Sequence, residues 1–213
     1  MRSAADRILD GLIRIVHEKL GLSPNQISTI GFVVGMFAAF LIVLDHLEAG
    51  LVSLALSQII DGLDGGVARH YGLHSDKGRM LEIIYDRLNE LAIFLALAFT
   101  GNVTYLIASL AFAAVILVTL VEPLSGFDPG FKRFMIYFGY LATALFDIRG
   151  FQLAMNVIFF ANLAAFACGT VIVEYRMQRE IDTQDIIRRE RELALGIPQP
   201  PDDPPSFLSK LFS

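Results

Sequence analysis

The sequence predicts an all-α, polytopic membrane protein: six transmembrane helices preceded by an amphipathic helix at the membrane interface. Apolar runs of bilayer-spanning length recur between Ile27 and Val173, and one crossing needs about 20 such residues. Hydrophobic residues make up 54% of the 213 positions, with a mean hydropathy of +0.57, which is more apolar than an ordinary soluble domain. The basic residues, moreover, fall almost entirely on one side of the runs. A net charge of −5 argues against a nucleic-acid surface. The single cysteine, Cys168, excludes an intrachain disulfide. Its place in an apolar run predicts a small buried side chain.

Residues 1–22 form the interfacial segment. Ile8, Leu12, Ile15, Val16 and Leu20 recur at helical spacing with charges between them, the pattern of a helix lying on a membrane surface. The charges leave no continuous apolar core for a cleavable signal peptide. Residues 23–173 form the six-span domain. Ser23-Pro24-Asn25-Gln26 is a helix start with a capping box and proline in the first turn. The first span runs from about Gln26 to Leu44, with Gly31 and Gly35 four apart for close packing. The second begins near Gly50, and its purely apolar part, Leu51–Ile60, is too short to cross. Its helix must therefore continue through Asp61, Asp64 and Arg69. A polar connection, His70 to Lys77, leads to a third span from Gly78 to Phe99. The fourth runs from about Val103 to Val121 and is ended by Glu122-Pro123. Lys132-Arg133 opens a fifth that ends near Phe146, and Phe151 to Val173 is the sixth. Asn156 and Asn162 are expected to bond neighbouring helices. Residues 174–213 form a tail, first a charged helix extending the last span, then a proline-rich end. Phe207, Leu208, Leu211 and Phe212 could return that end to the membrane.

The N-terminal segment, the second-to-third and fourth-to-fifth connections with their flanks, and the tail hold 16 of the 17 basic residues. The exception is Arg149. By the positive-inside rule both termini are cytoplasmic, and so is the acid-rich stretch from Asp61 to Asp86.

That stretch is the chemical centre of the chain. Carboxylates at membrane depth are costly and mark function. Asp61, Asp64, Gly65 and Ala68 share one helix face, and Gly78, Glu82 and Asp86 share another. If the faces meet, four carboxylates converge and require cations. Hard divalent ions such as Mg²⁺ suit oxygen ligands and commonly keep phosphates in their remaining positions. A pair of them could clamp a pyrophosphate, with Arg69 as a phosphate partner. Buried ion pairs with Arg69 and Arg87 are the alternative, but the acids outnumber the bases and the glycines stay unexplained.

The order Asp61-x-x-Asp64-Gly65-x-x-Ala68-Arg69, eight residues, then Gly78-x-x-x-Glu82-x-x-x-Asp86 resembles the signature of the CDP-alcohol phosphotransferases, with seven of eight fixed residues present. The resemblance extends to the amphipathic helix and six spans, and Ser23-Pro24-Asn25 is similar to the T-P-N that often opens the family's first span. It implies transfer of a phosphoryl-alcohol group from a CDP-linked lipid to an acceptor hydroxyl, with release of CMP. It also implies two Mg²⁺ or Mn²⁺ ions on Asp61, Asp64, Glu82 and Asp86. Gly65, Ala68, Arg69 and Gly78 would form the CDP pocket, Asp86 would be the general base, and the protein would be a homodimer in the membrane. The departure is Glu82, where the family has aspartate: the charge is kept on a side chain one methylene longer. Lys132 and Arg133 are candidates for an acceptor phosphate, as in glycerol 3-phosphate or inositol 1-phosphate; positive-inside anchoring is the other reading of these two residues. A cation or solute transporter would be expected to show repeated halves with broken helices. A catalytically impaired membrane scaffold would fail to bind CDP-lipid or metal.

Overall fold

The computed structural model describes residue 11 and residues 13–195. Ile8 and Leu12 of the expected interfacial helix, and Phe207, Leu208, Leu211 and Phe212 of the tail, lie outside the described residues.

Local chemistry sets the helix boundaries. Ser23 accepts from the Gln26 N–H, and the reciprocal Gln26 bond completes a capping box at the start of α1, Pro24–Val43. Helix α2, Leu47–Tyr71, ends where Gly72 adopts the left-handed conformation at φ 66°. Four residues later α3, Asp76–Phe99, begins under a Ser75 cap that accepts from the Gly78 N–H. The polar part of α2 thus continues the apolar part without a break, as the shortness of Leu51–Ile60 demands. Helix α4, Tyr105–Ser125, runs past the expected stop at Glu122-Pro123. Proline there lies in the last turn, and the stop is Gly126, whose N–H returns to the Glu122 carbonyl at 2.7 Å. Helix α5 is Lys132–Phe146, and α6, Gly150–Ala194, joins the last apolar run to the charged segment in one 45-residue helix. A short π-helical segment, Ile15–Lys19, precedes α1. No strand occurs among the described residues.

Among the described residues four helices, α1, α2, α4 and α6, are long and apolar enough to cross a membrane. Helix α3 has the length but carries charges through its first half. Helix α5, with 15 residues, is about 22 Å long, short of the ~30 Å hydrocarbon thickness.

The helices pack in two linked groups: α1 against α2 and α3, α6 against α4 and α5, with α3 touching α4. Ile42, Leu54, Ile93, Phe94, Leu97, Val115, Met155 and Ile158 form the common core. Glycines allow the closest approaches. A Cβ at Gly35 would lie 2.5 Å from the Asn89 amide, and one at Gly150 would lie 2.2 Å from the Gly139 carbonyl. Two expectations are corrected. Asn162 is fully buried but donates to Ile158 of its own helix at 2.7 Å, because an amide can reach back one turn before it reaches a neighbour. Cys168 is exposed: Asn162, Ala165 and Gly169 form the inward stripe of α6, and Cys168 lies off it.

Candidate active site

Because the α2–α3 connection is short, the last turns of α2 face the first turns of α3. Carboxylate oxygens of Asp61, Asp64 and Glu82 all lie within 4.8 Å of one another. Asp64 is only 3% exposed. One of its oxygens accepts a short bond from the Ser28 hydroxyl of α1, and the other is buried with no partner among the described residues. Three convergent carboxylates and an orphaned buried oxygen make a hard donor set. The site fits Mg²⁺ or Mn²⁺.

The fourth carboxylate, Asp86, is turned toward α5. Arg133 places one guanidinium nitrogen 2.9 Å from Asp61 and bonds Asp86 with the other. It is the only ion-pair partner these four acids have among the described residues. Tyr137, one turn further along α5, receives the Gln58 amide at 3.3 Å and helps hold this face of α5 on α2.

A cavity of about 390 Å³ opens beside the acids. Its wall contains Asp64, Glu82 and Asp86 together with Gly65, Ala68, Arg69 and Gly78, so the structure brings the signature residues of both helices to one space. Two of the small residues leave room for polar side-chain ends: a Cβ at Gly65 would stand 3.1 Å from the Arg69 guanidinium, and one at Gly78 would stand 2.9 Å from Asn25 Oδ1. Neither candidate for the acceptor phosphate is a free cation. Lys132 is 4% exposed and lies 3.1 Å from Asp128, while Arg133 bridges Asp61 and Asp86. Asp128, in the α4–α5 connection, lines the cavity. Burial pushes its carboxyl up, but Lys132 and the Gly130 N–H outweigh this and hold it below the usual carboxylate range.

Sequence reasoning missed Ser28, Asp128 and the buried Arg87–Glu90 pair, 3.0 Å apart, whose arginine also reaches Thr119. It took Asn25 as part of a helix start and of the T-P-N resemblance, not as a residue lining the site. Asn25 and Ser28 did carry a signal, since they are polar residues three apart at the start of an apolar helix.

Fold and site together define a helical membrane-type bundle whose carboxylates gather on a polar cavity at one end. The chain belongs to the CDP-alcohol phosphatidyltransferase family, whose model matches residues 21–171. Archaetidylinositol phosphate synthase of Pyrococcus horikoshii is 34% identical over 86 residues, 40% of this chain and 46% of that protein. Inner membrane protein YnjF of Escherichia coli is 35% identical over 81 residues, 38% of each. The chain covers less than half the length of either relative. Among solved structures, phosphatidylinositol phosphate synthase of Mycobacterium tuberculosis with CDP-DAG bound superposes with a TM-score of 0.67 at 16% identity, over 78% of this chain and 94% of that one. The same enzyme with manganese and citrate gives 0.64 at 16%, over 78% and 87%. At that identity the likeness establishes the fold.

Proposed function

We propose that this protein is an integral membrane enzyme of phospholipid biosynthesis that transfers a phosphatidyl-type group from a CDP-linked lipid to an acceptor hydroxyl. The carrying observation is the gathering of Asp64, Glu82, Asp86, Gly65, Ala68, Arg69 and Gly78 around one cavity, with Asp61 completing the carboxylate group. The acceptor oxygen bonds to the phosphorus that carries the lipid, the anhydride P–O bond breaks, and CMP leaves with the electron pair. Asp86 takes the acceptor's proton, as the carboxylate least drawn into the three-acid group. Asp61, Asp64, Glu82 and Asp86 would hold two Mg²⁺ or Mn²⁺ ions, which when bound neutralise pyrophosphate charge. Gly65, Ala68 and Gly78 admit the CDP moiety close to the backbone, and Arg69 pairs with its phosphates. Glu82 keeps its ligand role despite the extra methylene.

The acceptor is a phosphorylated polyol, inositol 1-phosphate or glycerol 3-phosphate, bound through Lys132 and Arg133 once its phosphate displaces their carboxylate partners. The name of the Pyrococcus relative favours the inositol compound. All six helices cross or enter the membrane, α5 as a short span, with the site and both termini cytoplasmic and two copies forming a dimer.

The test is CMP release by the purified protein with Mg²⁺ or Mn²⁺, a CDP-linked lipid and a panel of acceptors. Release that requires metal and a phosphorylated acceptor supports the proposal. No release with any acceptor overturns it, and metal or solute uptake without CMP would favour a transporter.

A further inference from the structure

Resting on that reading of the carboxylates as a metal site, we propose that Arg133 is the chain's own substitute for the metal, an internal cation that competes with the divalent ion and is freed by its arrival. The argument starts from charge. Asp61, Asp64, Glu82 and Asp86 bring four carboxylates into a partly buried space, where like charges repel strongly. Arg133 bridges two of them across 25 residues of α2–α3 sequence, from a helix that begins 46 residues beyond Asp86. Its guanidinium has the fork geometry that carboxylate pairs favour. Asp61 belongs to the three-acid group as well, so the carboxylate that holds the guanidinium is also one that would hold a metal ion, and the two cations draw on the same negative charge. When the ion is bound, the contacts of Arg133 to Asp61 and Asp86 weaken. A permanently charged five-donor group is then released beside the cavity, suited to an anionic oxygen cluster such as phosphate. Metal and acceptor anion are thereby coupled, and linkage makes the coupling reciprocal.

The competing reading, that Arg133 organises Asp61 and Asp86 for the metal, predicts the opposite sign. The experiment is Mn²⁺ binding to the full chain in detergent, by electron paramagnetic resonance, without CDP-lipid. Arg133→Met should bind Mn²⁺ roughly ten- to hundredfold more tightly than wild type, the equivalent of one or two lost charged hydrogen bonds. Metal-free Arg133→Met should also melt lower, with saturating Mn²⁺ narrowing the gap. Arg133→Lys, which keeps the charge but loses the fork, should fall between the two and serves if the methionine variant does not fold. Unchanged or weaker Mn²⁺ binding in a folded variant overturns the proposal. Failure of wild type to bind Mn²⁺ would instead overturn the metal-site reading on which it rests.

Discussion

The two ends of the helix bundle are built on opposite rules. At the end formed by the α1–α2, α3–α4 and α5–α6 connections, close contacts involve backbone: Gly150 meets the Gly139 carbonyl and Thr143 N, and Gly50 meets the Ile42 side chain and the Ala38 carbonyl. At the other end, Gly65 of α2 and Gly78 of α3 face the tips of Arg69 and Asn25, which can swing away, and buried Asp64 stands with an oxygen unpaired among the described residues. One end is packed for position and tolerates no addition. The other leaves space and uncompensated charge, which folding alone would select against.

The largest effect should come from the charged end. Asp64→Asn keeps the shape and the Ser28 contact but removes the charge. CMP release should fall by about 10²–10³, while metal-free thermal stability holds or rises as repulsion from Asp61 and Glu82 is relieved. Activity within tenfold of wild type would erase the distinction between the ends. Gly150→Ala tests the packed end. Its methyl would collide with backbone that cannot rotate away, so unfolding by denaturant should show a loss of roughly 1–3 kcal/mol with turnover per folded molecule retained. Gly65→Ala sharpens the contrast, because the same chemical change sits in the cavity wall. Stability should hold, since alanine is the better helix former, while KM for the CDP-lipid rises roughly tenfold. The smallest effect concerns Asp128. Its folded pKa is lowered, so its contribution is complete above the unfolded value of ~3.9 and is lost as the pH falls through the lower folded value. Asp128→Asn should cost no more than about 1 kcal/mol at neutral pH, and melting curves of variant and wild type should begin to approach each other only as the pH falls below about 4.

Much of this architecture is legible in sequence because its causes are local. The start of α1 follows from Ser23, Pro24 and Gln26, and the continuity of α2 through its acids follows from the length of a bilayer. The sharing of faces by Asp61 and Asp64, and by Gly78, Glu82 and Asp86, follows from the helical repeat. The contacts of Ser28 and Arg133 were missed because they join distant positions, whereas the Asp128–Lys132 and Arg87–Glu90 pairs are local. Ser28 meets Asp64 across 36 residues and Arg133 meets Asp86 across 47, and no periodicity encodes such a meeting. Lys132 and Arg133 looked alike as neighbouring cations, but successive helical residues point about 100° apart, so one finds Asp128 and the other finds the acids. Pro123 misled because proline ends helices in general, whereas a proline in the last turn costs little when Gly126 supplies the stop.

The position of Arg133 in the chain also has a consequence in time. A ribosome adding about 5–20 residues per second takes roughly 2–9 s to travel from Asp86 to Arg133. Through that interval the helical hairpin bearing the acids exists without the one side chain that later bridges them. During synthesis the carboxylates must meet the membrane protonated, hydrated at its surface or already holding a cation from the cytosol, and the chain's own charge arrives afterwards.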